Sequence, residues 1–541
     1  MDGFRTLIAR LGAYPRLCAL VLGAVAACGF QPLRLWPLAL VAVALLIELV
    51  ARAPRGRDAA AIGWLFGVGH FTVGNFWIAT AFTYQANMPH WLGAVAVFLL
   101  SLYLAVYPLL GALGAWLLAR WRGPQALVLA FAACWIVSEW LRSWIFTGFA
   151  WNPLGAVLLG GFDAQGLAIL APWLGTYGLS GLAVLLAALL RGFVQLLLAG
   201  GGGGEGGGRR IALIAGHLLL ALGVTAAMVA PARYLPAPQG AIRFTLVQPD
   251  VRQEVLDDPR FYEANFVKTA RLTLPSRYGQ QRIVFWPESG LPDYLRDGYP
   301  QADYDQLTYA ADPAKARERI ARILGPRGLL LTGAVDLVIE DGAVVAARNS
   351  ITAINDRGAI VAGYAKAHLV PYGEYLALRW LLEPLGATRL VPGALDFWPG
   401  PGPRSYDFGA WGKAGMQICY EIVFSGQVVD RGDRPDYIFN PSNDGWFGSW
   451  GPPQHLAQAR LRAIEEGLPV LRATTTGISA VIDADGIVRQ HVPRHRAGRL
   501  DGRIPPAHAP PPFALAGNVL PLGWAALLLI ISLVAMRRRR G

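Results

Sequence analysis

Long apolar runs, broken by few polar residues, fill the first 232 positions and recur near the carboxyl end of the chain. A membrane-spanning helix needs about 20 mainly apolar residues. The runs that reach this length predict eight spans, and the sixth is long enough to include an interfacial stretch. The predicted spans lie at about 13–30, 33–51, 59–82, 91–119, 125–146, 166–198, 211–231 and 513–536.

The pattern changes between residues 233 and 511, where short apolar runs alternate with amphipathic stretches. Alternation of this kind favours an α/β or α+β domain in which helices cover a sheet. We therefore predict a membrane domain at 1–232, a globular domain at 233–511, and a last span with a cytoplasmic tail at 512–541. The predicted strands are Ile242–Gln248, Ile283–Trp286, Leu329–Val335, Ser350–Ile354, Ala359–Tyr364, Met416–Cys419, Tyr437–Asn440 and Ser479–Ile482, and the predicted helices are about Pro259–Leu274, Pro313–Leu324 and Gln454–Glu466.

The distribution of charge predicts an orientation for these sections. The chain of 541 residues has a net charge of +12, but residues 233–511 hold 31 basic and 30 acidic residues. Because the globular domain is almost neutral, the positive charge is no sign of a nucleic-acid partner. The excess consists of arginines in alternate short loops, and such loops face the cytoplasm. We therefore expect both termini in the cytoplasm and the globular domain on the outer face of the membrane.

Cys419 is the one cysteine between residues 233 and 511. Residue type alone leaves two interpretations open, an inert core cysteine or a reactive thiol. The context favours reactivity, because Cys419 follows an apolar run and Glu421 follows it by two positions. In a strand that continued, both side chains would project to the same side. Glu288 and Lys366 also follow predicted strands closely.

These residues lie in sequences that resemble motifs of the nitrilase (carbon–nitrogen hydrolase) superfamily. The similar sequences are Trp286-Pro-Glu-Ser, Lys366-Ala-His-Leu-Val-Pro-Tyr-Gly-Glu374, Ile418-Cys-Tyr-Glu421, Ser442-Asn-Asp-Gly-Trp-Phe-Gly448 and Gln454-His455. The resemblance implies an α-β-β-α sandwich in which Glu288 is the base, Lys366 the electrostatic helper and Cys419 the nucleophile. It also implies supporting roles for Asn349, Glu374, Tyr420 and Glu421.

The predicted spans narrow this resemblance to the apolipoprotein N-acyltransferase family, whose membrane part is similar to Glu139-Trp-Leu-Arg142, Thr147-Gly-Phe149 and Trp151 here. The family implies an enzyme of the bacterial inner membrane with a periplasmic catalytic domain. Its acyl donor would be a phospholipid, and its acceptor the α-amine of the diacylglyceryl-cysteine of an apolipoprotein. We expect a thioester on Cys419, no metal or cofactor, and a monomer. One departure is that family members often carry a Trp soon after the opening Val-Gln motif, whereas Val251–Asp257 contains none.

Several alternatives remain open at this level. The apolar segment 375–403, with Trp380 and Trp398, is either a membrane-touching arm that admits acyl chains or a buried loop. A Cys–His mechanism would use His368 or His455 as the base. The rival functions are a membrane-anchored amidase acting on a small C–N substrate and a transporter with an accessory domain. The sequence has no HExxH motif and no cysteine pair at metal-ligand spacing.

Overall fold

The computed structural model describes residues 13–84, 89–119, 123–198, 207–232, 239–382, 384 and 395–534. The chain divides into two compact units. The first comprises Met1–Ala79, His90–Tyr234 and Pro511–Gly541, and the second comprises Thr80–Pro89 and Leu235–Pro510. The arginine-rich tail lies outside the described residues, as does most of the glycine-rich stretch at 200–208.

Helices make up the first unit. Among the described residues, four helical stretches are long and apolar enough to cross a membrane, namely His90–Ala119, Gln125–Arg142, Leu167–Leu198 and Gly208–Val229. They coincide with four of the eight predicted spans, and the count of eight stays a prediction. The run predicted at 59–82 is divided in the structure, because the helix Gly56–Gly74 is followed by a 3-10 segment, Phe76–Tyr84. The individual helices are Pro15–Ala27, Trp36–Ala51, Gly56–Gly74, His90–Leu104, Val106–Ala119, Pro124–Arg142, Ala171–Leu198, Gly207–Val229, Pro512–Ala516 and Val519–Val534.

The helices Pro15–Ala27 and Gly56–Gly74 contact each other at a pair of glycines. A Cβ atom on Gly23 would lie 1.9 Å from the carbonyl oxygen of Phe66, and one on Gly69 would lie 2.0 Å from that of Leu20. No side chain fits in either space, so glycine at both positions allows the backbones of the two helices to touch. Small residues at helix contacts are the usual means of close packing in membranes, where no hydrophobic force draws helices together.

Two six-stranded sheets form the centre of the second unit. The strands are β1 (Arg243–Gln248), β2 (Arg282–Phe285), β3 (Gly328–Glu340), β4 (Ala343–Asn355), β5 (Ile360–Ala365), β6 (Ser405–Asp407), β7 (Lys413–Met416), β8 (Tyr437–Ser442), β9 (Val470–Thr474), β10 (Ser479–Ile482), β11 (Val488–Val492) and β12 (Gly498–Arg503). The first sheet has the order β12-β1-β2-β3-β4-β5, and the second has the order β11-β10-β9-β8-β7-β6. The helices are Gln253–Leu256, Tyr262–Thr273, Gln301–Leu307, Pro313–Leu324, Arg379–Leu382 and Gly451–Glu466.

The side chains along β2 show how the layers are arranged. Ile283 and Phe285 join the core between the two sheets, where Phe285 packs 4.8 Å from the Phe439 ring of the other sheet. Val284 and Trp286 alternate with them and pack on the opposite face against residues of the helices Tyr262–Thr273 and Pro313–Leu324. Successive residues of an extended chain point to opposite faces, so the run Ile283–Trp286 is apolar at every position because both of its faces are covered. The predicted α/β sandwich is confirmed.

The strand predicted at Met416–Cys419 is wrong at its end, because the structure has no strand at Cys419. β7 ends at Met416, and Cys419–Val423 forms a 3-10 turn. Cys419 adopts a φ of 49°, a value that a strand cannot accommodate. The chain therefore reverses direction at Cys419, and Glu421 does not stand beside the thiol as the next residue on one face of a strand.

Glu466, at the end of the helix Gly451–Glu466, gives a pH-dependent prediction. Burial raises its pKa to about 7, with the neighbouring Glu465 adding to the shift, and its Oε1 has no hydrogen-bond partner among the described residues. When the pKa of a carboxyl is higher in the folded than in the unfolded protein, the free energy of unfolding falls as the pH rises from the unfolded-state pKa to the folded-state pKa. Glu466→Gln should therefore stabilise the protein by up to about 3 kcal/mol above pH 7, and the gain should vanish below about pH 4.

Thermal unfolding across this pH range measures the effect. Glu318→Gln is the matched control, because Glu318 is an exposed glutamate that pairs with Arg322 at the helix surface. A stabilisation of the Glu466 variant that did not change with pH would contradict the prediction.

Candidate active site

The three residues of the expected triad lie close together at the ends of strands from both sheets. Glu288 follows β2, Lys366 directly follows β5, and Cys419 follows β7 by three positions. All three are buried, with relative exposures of 7%, 1% and 5%. Lys366 Nζ lies 3.7 Å from Glu288 Oε1, and the Cys419 thiol interacts electrostatically with both side chains. The sequence-predicted triad therefore forms one buried cluster.

Asn349, on β4, connects two carboxylates of this cluster. Its Nδ2 donates to Glu288 Oε1 and to Glu374 Oε1, each at 2.7 Å. Because an amide nitrogen carries two hydrogens, one planar group serves both acceptors. Glu374 also accepts from Lys366 Nζ at 3.0 Å and from the Val370 backbone N–H at 2.7 Å. Asn349 and Glu374 thus hold Glu288 and Lys366 at fixed positions.

The second oxygen of Glu288 is held from the other sheet. Its Oε2 accepts a 2.7 Å hydrogen bond from the backbone N–H of Asn443, just after β8. Gly333 on β3 leaves room for the turn that carries Glu288, since a Cβ there would lie 2.7 Å from the Glu288 Cα. The Asn443 side chain in turn donates to Gln253 Oε1 at 2.9 Å. The segment Val251–Asp257, which lacks the Trp often found in the family, therefore supports Glu288 indirectly, because its Gln253 binds Asn443.

Cys419 is a thiol held in a strained turn. A φ of 49° is uncommon for a residue with a side chain and costs about 1–3 kcal/mol. Burial raises the pKa of Cys419 well above its usual value, and the charge of Glu288 raises it further, although Lys366 opposes the shift. A thiol in this environment needs a base to accept its proton as it attacks.

Lys366 is a buried lysine whose surroundings favour the protonated ammonium. Burial alone would lower its pKa, but the carboxylates of Glu374 and Glu288 outweigh burial and raise the pKa of Lys366. An ammonium that stays protonated beside a nucleophile can stabilise an oxyanion during the reaction.

Glu421 ties the Lys366 loop to the Cys419 turn. Its Oε1 accepts from the Tyr364 hydroxyl and the Ala367 N–H, both at 2.7 Å, and its Oε2 accepts from the Ile418 N–H at 2.7 Å. Burial raises the pKa of Glu421 to about 7, although these donors oppose the shift. The carboxylate thus connects the end of β5 to the residue preceding Cys419. Tyr420 is buried and packs edge-on against Phe424 at 5.0 Å.

The two histidines considered as alternative bases differ in their contacts with Cys419 and its neighbours. The His368 ring stacks on Phe424 with centroids 4.0 Å apart. His455 is fully buried, and its Nε2 lies 3.0 Å from the carbonyl oxygen of Cys419. A carbonyl can only accept, so this nitrogen carries a proton and has no lone pair to take one from the thiol.

Cys419, Asp444 and His455 are close enough to be considered as a metal site, since their ligand atoms lie within 4.8 Å of one another. The guanidinium of Arg472 opposes this, because it already pairs with Asp444 Oδ2 at 2.6 Å and contacts His455 Nδ1 at 2.9 Å. A cation placed among these ligands would meet the charge of Arg472 at close range. The expectation of no metal stays a prediction.

The two tryptophans of the apolar segment differ in their surroundings. Trp380 lies in the short helix Arg379–Leu382 and is 76% exposed, whereas Trp398 is 38% exposed. The Trp398 backbone N–H donates to the Ala347 carbonyl on β4 at 2.8 Å, so this end of the segment is anchored to the first sheet. Most of the segment between them, including Leu390, lies outside the described residues.

Comparison with known proteins places this site in a family. The family model described as carbon-nitrogen hydrolase matches residues 260–507, and the model described as apolipoprotein N-acyltransferase N-terminal domain matches residues 22–189. The proteins named apolipoprotein N-acyltransferase from Rhodopseudomonas palustris and Bradyrhizobium diazoefficiens are each 34% identical to the chain. They align over 96% and 97% of it and over 95% of their own lengths. The chain belongs to the apolipoprotein N-acyltransferase family.

As a member of the apolipoprotein N-acyltransferase family, the chain is an acyltransferase, and its relatives and apolar helices indicate a bacterial membrane protein. Among solved structures, it is similar to a mutant of the amidase from Nesterenkonia sp. AN1 that carries the acetamide moiety of fluoroacetamide on its active-site cysteine. That match has 17% identity and a TM-score of 0.33 over 53% of this chain and 95% of the amidase.

Sequence reasoning missed two groups that the structure places in the site. The Asn443 backbone N–H, which holds Glu288, lies in a motif that the sequence identifies only by resemblance. Arg472 lies on β9, a strand that the apolar pattern does not predict, and it gives no signal in the sequence. A buried arginine is uncommon, but its burial becomes visible only when the strand itself is recognised.

Proposed function

We propose that this enzyme transfers a fatty acyl chain from a phospholipid to the α-amine of the S-diacylglyceryl-cysteine of an apolipoprotein. Cys419 is the nucleophile, Glu288 the base and Lys366 the oxyanion partner. The observation that carries the proposal is the buried Glu288–Lys366–Cys419 cluster in a chain whose full-length relatives are named apolipoprotein N-acyltransferase.

The first half-reaction forms a thioester on Cys419. As the Sγ atom attacks the sn-1 ester carbonyl, its proton passes to Glu288, and the oxyanion forms beside the ammonium of Lys366, with a backbone N–H as a further donor. The ester C–O bond then breaks, and the proton held by Glu288 goes to the departing alkoxide. A lysophospholipid leaves and the acyl chain stays on sulfur.

The second half-reaction moves the acyl chain to nitrogen. The amine of the acceptor attacks the thioester carbonyl and gives a proton to Glu288. Collapse of the oxyanion breaks the C–S bond, and Glu288 returns the proton to the thiolate. The overall change converts an ester and an amine into an amide and an alcohol, with Cys419 restored. Two substrates use one site in turn, which is ping-pong behaviour.

The location of the enzyme follows from the same proposal. Phospholipid and an exported apolipoprotein meet at the outer face of the bacterial inner membrane. We place residues 233–511 there, between seven spans and an eighth, with both termini in the cytoplasm as the loop arginines indicate. The enzyme works as a monomer, because one chain supplies all three residues.

A labelling experiment tests the proposed chemistry. The purified protein is mixed with phospholipid carrying a radiolabelled sn-1 chain, without acceptor, and the tryptic peptide containing Cys419 is isolated. We expect a label on this peptide that neutral hydroxylamine removes, since hydroxylamine cleaves thioesters. Addition of a diacylglyceryl peptide with a free α-amine should move the label to that peptide. If the folded protein stays unlabelled, the proposed mechanism is wrong.

The apolar segment 375–403 is proposed to contact the membrane and admit acyl chains. Trp380 is the reporter, because it is the more exposed of the two tryptophans in this segment. The test protein is the parent chain reconstituted in bilayers with and without brominated acyl chains, compared with its Trp380→Phe variant. We expect the brominated chains to quench part of the tryptophan fluorescence of the parent chain, and we expect this quenched part to be missing in the variant. Equal quenching in both proteins would show that Trp380 stays in water.

A further inference from the structure

His455 faces the backbone of the nucleophile. Its Nε2 lies 3.0 Å from the Cys419 carbonyl oxygen and donates to it, whereas Asn440 Nδ2 makes a longer contact of 3.5 Å with the same oxygen. The ring is completely buried. A buried N–H that donates to a carbonyl fixes the position of that carbonyl. Breaking this hydrogen bond would leave the N–H and the carbonyl oxygen buried with neither a protein partner nor water.

The far side of the ring is fixed as well. Nδ1 lies 2.9 Å from Arg472 Nη2 and 3.0 Å from Asp444 Oδ1. Burial lowers the pKa of His455 and the charge of Arg472 lowers it further, although Asp444 opposes them. A neutral ring with its proton on Nε2 accepts from Arg472 at Nδ1. Arg472 is held in turn by Ser442 Oγ at 2.9 Å and by Asp444.

The carbonyl that His455 holds belongs to the peptide that links Cys419 to Tyr420. A trans peptide is planar, so its C=O and its N–H point in opposite directions. Fixing the carbonyl toward His455 therefore fixes the direction of the Tyr420 N–H on the opposite side. It also holds the turn in which Cys419 has its positive φ, a conformation that persists only where the surroundings enforce it.

We propose that His455 is a positioning residue for acyl transfer: by donating to the Cys419 carbonyl, it holds the turn that presents the thiol and orients the following N–H. This inference rests on the proposed role of Cys419 as the nucleophile. His455 takes no proton from the thiol. Arg472, by donating to Nδ1, favours the tautomer with its proton on Nε2, and Asp444 holds Arg472 in place.

Two substitutions of similar length separate this role from general support of the core. In His455→Gln the Nε2 atom can reach the Cys419 carbonyl as a donor, whereas His455→Met fills a similar space without a donor. Both variants lose the contacts with Asp444 and Arg472 equally. We expect the glutamine variant to form the Cys419 thioester within about five-fold of the parent rate. We expect the methionine variant to be about ten- to a hundred-fold slower, with an unchanged dependence on phospholipid concentration.

Thermal unfolding of both variants provides the control. A purely structural role would slow them equally and in step with their loss of stability, and that result would overturn the proposal. If the methionine variant does not fold, the glutamine variant decides alone: folded protein with thioester formation more than about ten-fold slower than the parent contradicts the inference.

Alkylation of Cys419 by iodoacetamide, followed by mass spectrometry, separates this inference from the proposed function. It needs no lipid, so it reports on the turn even if the parent protein takes no acyl label. The glutamine variant should match the parent in the rate and pH profile of alkylation, and the methionine variant should differ at least about five-fold in rate. Equal profiles for the two variants would overturn the inference, whatever the outcome of the labelling experiment.

Discussion

Cys419→Ala is expected to lower acyl transfer from phospholipid to a diacylglyceryl peptide by at least about four orders of magnitude, because the variant lacks the sulfur that we propose as the carrier of the acyl chain. The substitution removes a small side chain from a turn that His455 and Glu421 still hold at Cys419 O and Ile418 N. The protein should therefore fold normally and bind phospholipid. Initial rates of transfer, measured with a labelled donor at saturating acceptor, give the comparison.

A matched cysteine tests whether the loss is specific. Cys18 lies in the helix Pro15–Ala27, and Cys18→Ala removes the same atom from the first unit. This control should retain the parent rate. Residual activity in Cys419→Ala within about a hundred-fold of the parent would mean direct transfer without a thioester, and a different nucleophile would have to be sought.

Lys366→Met is expected to cost both activity and stability. Without the ammonium, the oxyanion loses its charged partner, and the rate should fall by at least about three orders of magnitude. The carboxylates of Glu288 and Glu374, joined by Asn349, would also remain buried without the Lys366 cation. Removing one partner of a buried ion pair costs about 3–5 kcal/mol. Transfer rates and thermal unfolding of the same preparations measure the two losses.

A second substitution separates the two effects. In the double variant Lys366→Met with Glu374→Gln, one of the uncompensated charges is gone, so much of the stability should return while the activity does not. Lys413→Met is the control, since Lys413 forms a partly exposed pair with Asp433 that water and salt screen. If the double variant recovered transfer as well as stability, Lys366 would have only a structural role.

The sequence was sufficient to predict Glu288, Lys366 and Cys419, which meet in the candidate site. Glu288 and Lys366 follow apolar runs that do form β2 and β5. β2 is buried on both faces, and such a strand is readable as a run of apolar residues. The motifs around these runs then named Glu374 and Glu421 as well. Both carboxylates are buried in the structure and hydrogen-bonded to the site.

The sequence was insufficient where long-range contacts decide the conformation. The turn at Cys419 exists because Glu421 and His455 hold it, and those bonds cannot be inferred from the apolar run before it. β9 contains Arg472 at its centre, a residue that local patterns assign to the surface. Its burial depends on polar partners from other elements of the sandwich, which are Asn440, Ser442, Asp444 and His455.

The amide of Asn349 sets how the site can respond during turnover. Its two N–H groups join Glu288 to Glu374, and the other oxygen of Glu288 is bound to the Asn443 backbone. Glu288 cannot turn toward one substrate and then toward the other without breaking a buried hydrogen bond. In the mechanism that we propose, both half-reactions therefore use a stationary carboxylate, and only protons and substrates move. The reorganisation energy of such an enzyme stays low, because the heavy atoms of its site already have their reactive positions in the folded protein.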